Sequence, residues 1–313
     1  EKGSDLNYTT SGGAVYIAGN NTKIIKNYFT HNNAGKGGSI YVSGEGTEIS
    51  GSKFIELNAG YGAAIYVEGN DTTIDSSLFN RIYVTYDGGA IYLGGLNSHI
   101  SNSTFSMINA TRGGAIFIEG NNSEIEGTFD KCFASNNGVP IVDSAGGAIY
   151  ISGNDNEVRN SIFNITQAIG GNGGAIYAGG SNNVINNIST QITIAIRNGP
   201  GDKGKGGAIY VEGDNVSIAD SKFITFSASD KGGVIYVAGD DLSIEACRFQ
   251  YGSSVDGGAI FIEGSNTIIT RSNFLNIGAE GGSDLNYTTS GGAVYVAGNN
   301  TKIIKNYFTH NNA

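Results

Sequence analysis

A short segment of the Gly-Gly-Ala-Ile-Tyr-Val type recurs along the whole chain. It begins at Gly12, Gly37, Gly62, Gly88, Gly113, Gly146, Gly173, Gly206, Gly232, Gly257 and Gly291. Successive starts lie 25, 25, 26, 25, 33, 27, 33, 26, 25 and 34 residues apart, a basic period near 25 with about eight extra residues on three occasions. Repetition at such a period confines a chain to stacked architectures, because one unit cannot bury its own apolar face and only neighbours can cover it. With 2 prolines against 50 glycines, a collagen helix is excluded.

Inside GGAIYVEG the residues alternate with period two, which marks a short strand. Its fourth and sixth positions are aliphatic in every copy, the sixth only weakly so at Ala178. A closing glycine follows. Five residues beyond it stands Ile or Val, and ten residues beyond it stands Phe in nine copies of eleven. Three short strands per circuit and no helical pattern predict an all-β fold, a right-handed parallel β-helix (solenoid) of about 25 residues per coil and eleven coils. Ile24, Ile49, Ile74, Ile100, Ile125, Ile218 and Ile244 should then form one interior file, and Phe29, Phe54, Phe79 and Phe105 another. Glycine and Asn/Asp supply the bends, since both tolerate left-handed backbone.

The fifth strand position is Tyr in nine coils and Phe in two, whereas the later ladder position is Phe. A position that selects a hydroxyl meets water or a partner. Tyr16, Tyr41, Tyr66, Tyr92, Phe117, Tyr150, Tyr177, Tyr210, Tyr236, Phe261 and Tyr295 are therefore expected as an outward aromatic file. So much contiguous ring surface exceeds what monomers usually expose, so the file is expected to be covered by a neighbouring fibre or by inserted loops.

The GGAI-type strand, the Phe segment that follows and the GNNTKI-like turns resemble the repeats of polymorphic outer-membrane proteins and of adhesin-like surface proteins of methanogenic archaea. The resemblance spans the chain. It implies a right-handed parallel β-helix displayed at a cell surface, with adhesive or structural use, and it brings no catalytic residue.

A longer repeat is also present. Residues 280–313 match residues 1–34 at 32 of 34 positions, an offset of 279 residues or ten coils. The organisation read from this is one continuous β-helix over 1–313, with 1–279 a ten-coil super-repeat and 280–313 the start of the next. Ordinary repeats at both ends, without capping units, predict a stack that continues covalently in both directions, at ~48 Å per ten-coil unit for a ~4.8 Å rise.

Candidate chemistry is sparse. The net charge is −10 and no basic run occurs, which argues against a nucleic-acid partner. No apolar run is long enough to span a membrane, and EKGSDLNYTT lacks the apolar core of a signal peptide. Asp214 and Asp240 share a turn position on adjacent coils, with Asp241 beside them, and form a weak Ca²⁺ candidate. Stacked carboxylates also meet the spacing that glycosidases use, but no distinctive Lys/Arg/Asp/His constellation marks one coil. Cys247 replaces a serine in a small-residue file, and Cys132 lies four coils away, too far for a disulfide. His31 and His99 read as solvent-facing. Eleven Asn-X-Ser/Thr sequons occur, among them Asn20, Asn70, Asn109, Asn121 and Asn299, as possible glycosylation sites. The insertions, about 133–145, 191–205 and 277–290, share one register and hold Pro140 and Pro200; such loops are common recognition elements.

The expectation is an extracellular structural or adhesive fibre protein that is not an enzyme and needs no cofactor or metal. Its partners are copies of itself and cell-surface glycans. The alternative is a carbohydrate-binding adhesin module using the tyrosine file or the loops, and a third reading is a polysaccharide lyase or hydrolase.

Overall fold

The computed structural model describes residues 10–136, 143–196, 204–280 and 289–313. Both prolines and the middle of each insertion lie outside the described residues. No helix occurs among those described. The chain is a parallel β-solenoid.

The eleven GGAIYV strands, from Val15–Ile17 and Ile40–Val42 to Ile260–Ile262 and Val294–Val296, form one sheet in strict chain order. Every pairing is parallel and like residues meet: Val15 faces Ile40, Tyr16 faces Tyr41 and Ile17 faces Val42. The other two segments of each coil build a second sheet of 21 strands. There Ile49 faces Ile74, and Phe54 faces Phe79. A two-stranded sheet, Ser144–Ala145 with Gly171–Asn172, completes the described strands.

The interior consists of the expected files. Ile49, Ile74, Ile100, Ile125, Ile218 and Ile244 are fully buried, and Ile24 nearly so. Phe54, Phe79, Phe105, Phe129, Phe163, Phe223, Phe249 and Phe274 are fully buried, with Phe29 at the edge. The coil of Gly120 lacks Phe at its tenth position only because Gly127 stands where its neighbours use two residues. A register shift between Ile100 and Ser103 absorbs the deletion and returns Phe129 opposite Phe105. The real interruption is Thr190, buried between Phe163 and Phe223.

Corners are made by residues at positive φ. The first glycine of each pair is one, for example Gly206 at +64°. The Asn/Asp turn is a second, for example Asn182 at +58°. Two further corners follow each of the later segments, and the last carries residues of every kind: His31, Glu56, Arg81, Met107, Lys131, Ile165, Ile192, Thr225, Tyr251, Asn276 and His310, all between +51° and +59°. β-Branched residues rarely adopt this conformation. Here the coil-to-coil hydrogen bonds hold it in place.

Candidate functional site

The aromatic file lies on the side of its strand opposite the buried aliphatics, as expected, but its rings are largely consumed within the chain. From Tyr16 to Tyr295 each ring stacks on the next, the first pair at 4.9 Å between centroids and 16° between planes. Tyr41, Tyr66, Tyr92, Phe117, Tyr236 and Phe261 are buried, Tyr150, Tyr177, Tyr210 and Tyr295 half-buried, and only Tyr16 is widely exposed at 57%. Ring faces meet ring faces, so a platform on which sugars could stack is not offered along the file.

The flanks of the file close it further. On one side lie cations: Lys36 is 4.7 Å from the Tyr66 centroid, Lys205 4.2 Å from Tyr236, Lys231 4.3 Å from Phe261, and Arg112 5.1 Å from Phe117. On the other lie carboxylates two residues beyond the ring. Tyr92 donates to Glu119 at 2.6 Å, and Tyr177 donates to Glu212. Arg112 clasps Asp87 through two hydrogen bonds, at 2.8 and 2.7 Å. Burial first, and the acceptor carboxylates second, push the Tyr92 and Tyr177 hydroxyls well above the ordinary tyrosine range, and burial lifts Tyr210 to about 12.

The turn carboxylates serve the stack. Asp214 accepts the N–H of Asp240 at 2.8 Å, Asp240 accepts that of Ser265 at 2.6 Å, and Asp241 accepts the side-chain amide of Asn266 at 3.0 Å. Asn20, Asn70 and Asn121 do the same for Glu45, Leu96 and Asn154. Asn299 lies exposed in this row, and Asn109 accepts from Ser135 on another strand. No group of three His, Cys, Asp or Glu residues among the described residues could hold a metal ion.

The sequons at Asn20, Asn70, Asn121 and Asn299 arise from two structural rows. Asn binds the next turn, and the Thr or Ser two residues later fills an inward corner, where Thr72 and Ser123 are buried. Ser52 and Ser77 cap the coil before them, accepting the N–H of Asn27 and Ser52. Cys247 occupies this serine row, where burial raises its thiol to about 12, and Cys132 is likewise buried and free. His31 and His99 face solvent beside Glu56 and Glu124, at 3.1 and 2.9 Å.

Convergent groups without internal partners occur elsewhere. Gly252 belongs to an inward row that holds Leu57, Ile82, Ile108 and Ile277 in other coils, and the side chain it lacks is replaced by the ring of Phe226 from the coil before. The Phe226 ring leans over it so closely that a Cβ on Gly252 would sit 1.7 Å from Cε2. An open groove of about 350 Å³ lies beside this pair. The last corner of successive coils delivers Tyr251, Asn276 and His310 to its rim, and Glu280 and Asn312 complete it. Strand pairing fixes the floor: Glu280 N–H donates to Ser254 O at 2.8 Å, and Ala279 N–H to Asn312 O at 3.0 Å.

Tyr251 is 54% exposed and stacks on no other ring among the described residues. The side chains of Tyr251, Asn276, Glu280 and Asn312 make no hydrogen bond or ion pair among the described residues, and His310 uses only Nδ1, toward Thr309 at 3.1 Å. Among the described residues, an aromatic face, a carboxylate and two amides thus converge without partners in one concavity. A reading of single motifs misses this site. A register of rows exposes it, because the inward row that runs through Thr166, Thr193 and Phe226 has no side chain at Gly252.

No family model matches the chain, and no curated protein matches it. Solved structures do. One is the catalytic domain of a GH87 alpha-1,3-glucanase in complex with nigerose, 14% identical with a TM-score of 0.27. A variant of that domain with nigerose is 15% identical with a TM-score of 0.28, and another with tetrasaccharides is 13% identical with a TM-score of 0.26. Each match covers 95% of this chain and 63% of the other, so the chain spans less than two thirds of those structures. Likeness at this level transfers no residue and no activity. The expectation of a structural fibre that is not an enzyme is nonetheless corrected here. The matching solved structures are glycoside hydrolase catalytic domains, and the aromatic file meant to bind neighbouring fibres is mostly buried within its own chain.

Proposed function

We propose that the chain is an extracellular carbohydrate-engaging solenoid that holds a saccharide in the groove at Gly252. The observation that carries this reading is the convergence of the unstacked Tyr251 ring with the unpartnered side chains of Asn276, Glu280 and Asn312. A sugar ring has an apolar C–H face and a rim of hydroxyls, so it needs one aromatic face and several planar hydrogen-bonding groups together. Placement outside the cell follows from the resemblance of GGAIYVEG and GNNTKI to adhesin-like surface repeats, including those of methanogenic archaea. Cell-surface or matrix glycans are the partners this implies.

The experiment is a glycan array probed with the protein and with Tyr251→Ala and Glu280→Gln, paired with a depolymerisation assay on every polysaccharide that binds. The reading expects a defined set of bound glycans that both variants lose. New reducing ends that disappear with Glu280→Gln would make Glu280 the carboxylate of a hydrolytic reaction. An array on which the parent binds nothing, or on which both variants bind like the parent, would overturn the reading.

A further inference from the structure

We propose that the stacked aromatic file carries a one-electron oxidation along the solenoid, with Tyr92 and Tyr177 as the stations where the hole rests. This is independent of carbohydrate binding. Ten successive contacts join Tyr16 to Tyr295, with centroids 4.5 to 5.5 Å apart and planes within 16° of parallel. Nine of the eleven rungs are phenols. Phe117 and Phe261, which are far harder to oxidise, are single interruptions that a hole crosses in one step of two rungs, ~10 Å at the sheet spacing. The interior phenylalanine file is no rival path, since Thr190 breaks it and it contains no phenol.

A phenol gives up an electron readily only when its proton can leave with it. Tyr92 has an acceptor at 2.6 Å in Glu119, and Tyr177 has one in Glu212. In the step at Tyr92, one electron passes to the oxidised ring before it and the phenolic proton passes to the Glu119 carboxylate. A neutral Tyr92 phenoxyl radical and a carboxylic acid result, while the preceding ring, which gave its proton to solvent when it was oxidised, returns to a phenol by taking one electron from Tyr92 and one proton back from solvent. The first electron goes to an outside one-electron oxidant, of the class of oxygen-centred radicals or high-potential metal complexes, which meets the exposed Tyr16. Elsewhere cations oppose the hole: Lys36 lies over Tyr66, Arg112 is 5.2 Å from the Tyr150 centroid, and Lys205 donates to the Tyr236 hydroxyl at 2.9 Å. Glu68 and Glu263 lie near Tyr41 and Tyr236 as well, but among the described residues the rings whose hydroxyl donates to a carboxylate are Tyr92 and Tyr177, and these are the stations.

The native sequence suits a direct test. Both cysteines are buried, so a ruthenium polypyridyl photo-oxidant can be attached selectively at Ala18→Cys, on the exposed residue beside Tyr16. The chain has no tryptophan, so Tyr295→Trp supplies a terminal trap whose radical absorbs apart from tyrosyl radicals. Trap and dye are ten rungs apart, ~48 Å, beyond single-step tunnelling. After a flash, the tryptophan radical should form with a yield independent of protein concentration. It should be lost in Tyr150→Phe/Tyr177→Phe, which keeps the stack but leaves ~19 Å between Tyr92 and Tyr210. Phe117 and Phe261 show that this row accepts phenylalanine, so loss of folding is not expected, and circular dichroism checks it. Glu119→Gln should delay arrival at the trap. No tryptophan radical in the parent, or an undiminished one in the double phenylalanine variant, would overturn the relay. An unchanged arrival time in Glu119→Gln would overturn the assignment of Tyr92 as a station.

Discussion

Single residues in this fold answer to the row they occupy. Thr72 is buried at an inward corner and its hydroxyl has no partner among the described residues, while Val216 and Leu242 hold the same corner in other coils. Thr72→Val should therefore raise stability by about 1 kcal/mol, the usual cost of an unsatisfied buried hydroxyl, and chemical denaturation would show it. The first glycine of each pair behaves oppositely. Gly206 has φ +64° and a Cβ there would lie 2.2 Å from Ile209 O, so Gly206→Ala should cost at least about 2 kcal/mol. The second glycine is constrained by space alone, and Ala63 occupies that row between Gly38 and Gly89 without exposure. A lower denaturation midpoint for Thr72→Val, or an unchanged one for Gly206→Ala, would contradict this reading of the rows. The glycine and Asn/Asp corners were legible because few other residues adopt left-handed backbone. The last corner was not, because coil-to-coil hydrogen bonds impose the conformation on Glu56, Ile165 and Tyr251 alike.

At the level of elements, two files divide the work. The inner one is dry: Phe105 is fully buried between Phe79 and Phe129 at 4.7 and 4.9 Å, so Phe105→Ala should cost about 3–5 kcal/mol and lower the thermal midpoint. The outer one titrates. Burial raises the hydroxyls of Tyr41, Tyr66, Tyr92, Tyr150, Tyr177, Tyr210 and Tyr236 above the unfolded value of about 10. A group raised in the folded state contributes stability that is complete below its unfolded pKa and is lost as pH rises through the folded one. Thermal midpoints should thus hold steady to about pH 10 and fall beyond it. The fall should be shallower in Tyr92→Phe/Tyr177→Phe, and a profile identical to the parent's would contradict the burial of the file. Period and alternation sufficed to read these files and the outward direction of the tyrosines. They could not show that Lys36, Arg112 and Lys205 flank the rings, because those cations come from another corner of the coil.

Across the described residues the molecule is a regular solenoid, and a groove marks it at Gly252. Eleven near-equivalent rungs leave little that distinguishes one coil from the next, so the site arises where the period fails, at Gly252 beneath Tyr251, Asn276 and His310. Periodicity made the cylinder legible and hid its exception, since a single glycine in a chain with 50 attracts no notice until every row is aligned. The net charge of −10 and the free Glu280 carboxylate favour neutral saccharides over polyuronates in that groove. Calorimetric titration with an oligosaccharide taken from the array, on the parent and on Tyr251→Ala and Tyr16→Ala, separates groove from file. Tyr251→Ala should bind at least about tenfold more weakly, about 1.4 kcal/mol, and Tyr16→Ala should bind like the parent. Unchanged affinity in Tyr251→Ala together with a loss in Tyr16→Ala would contradict binding in the groove.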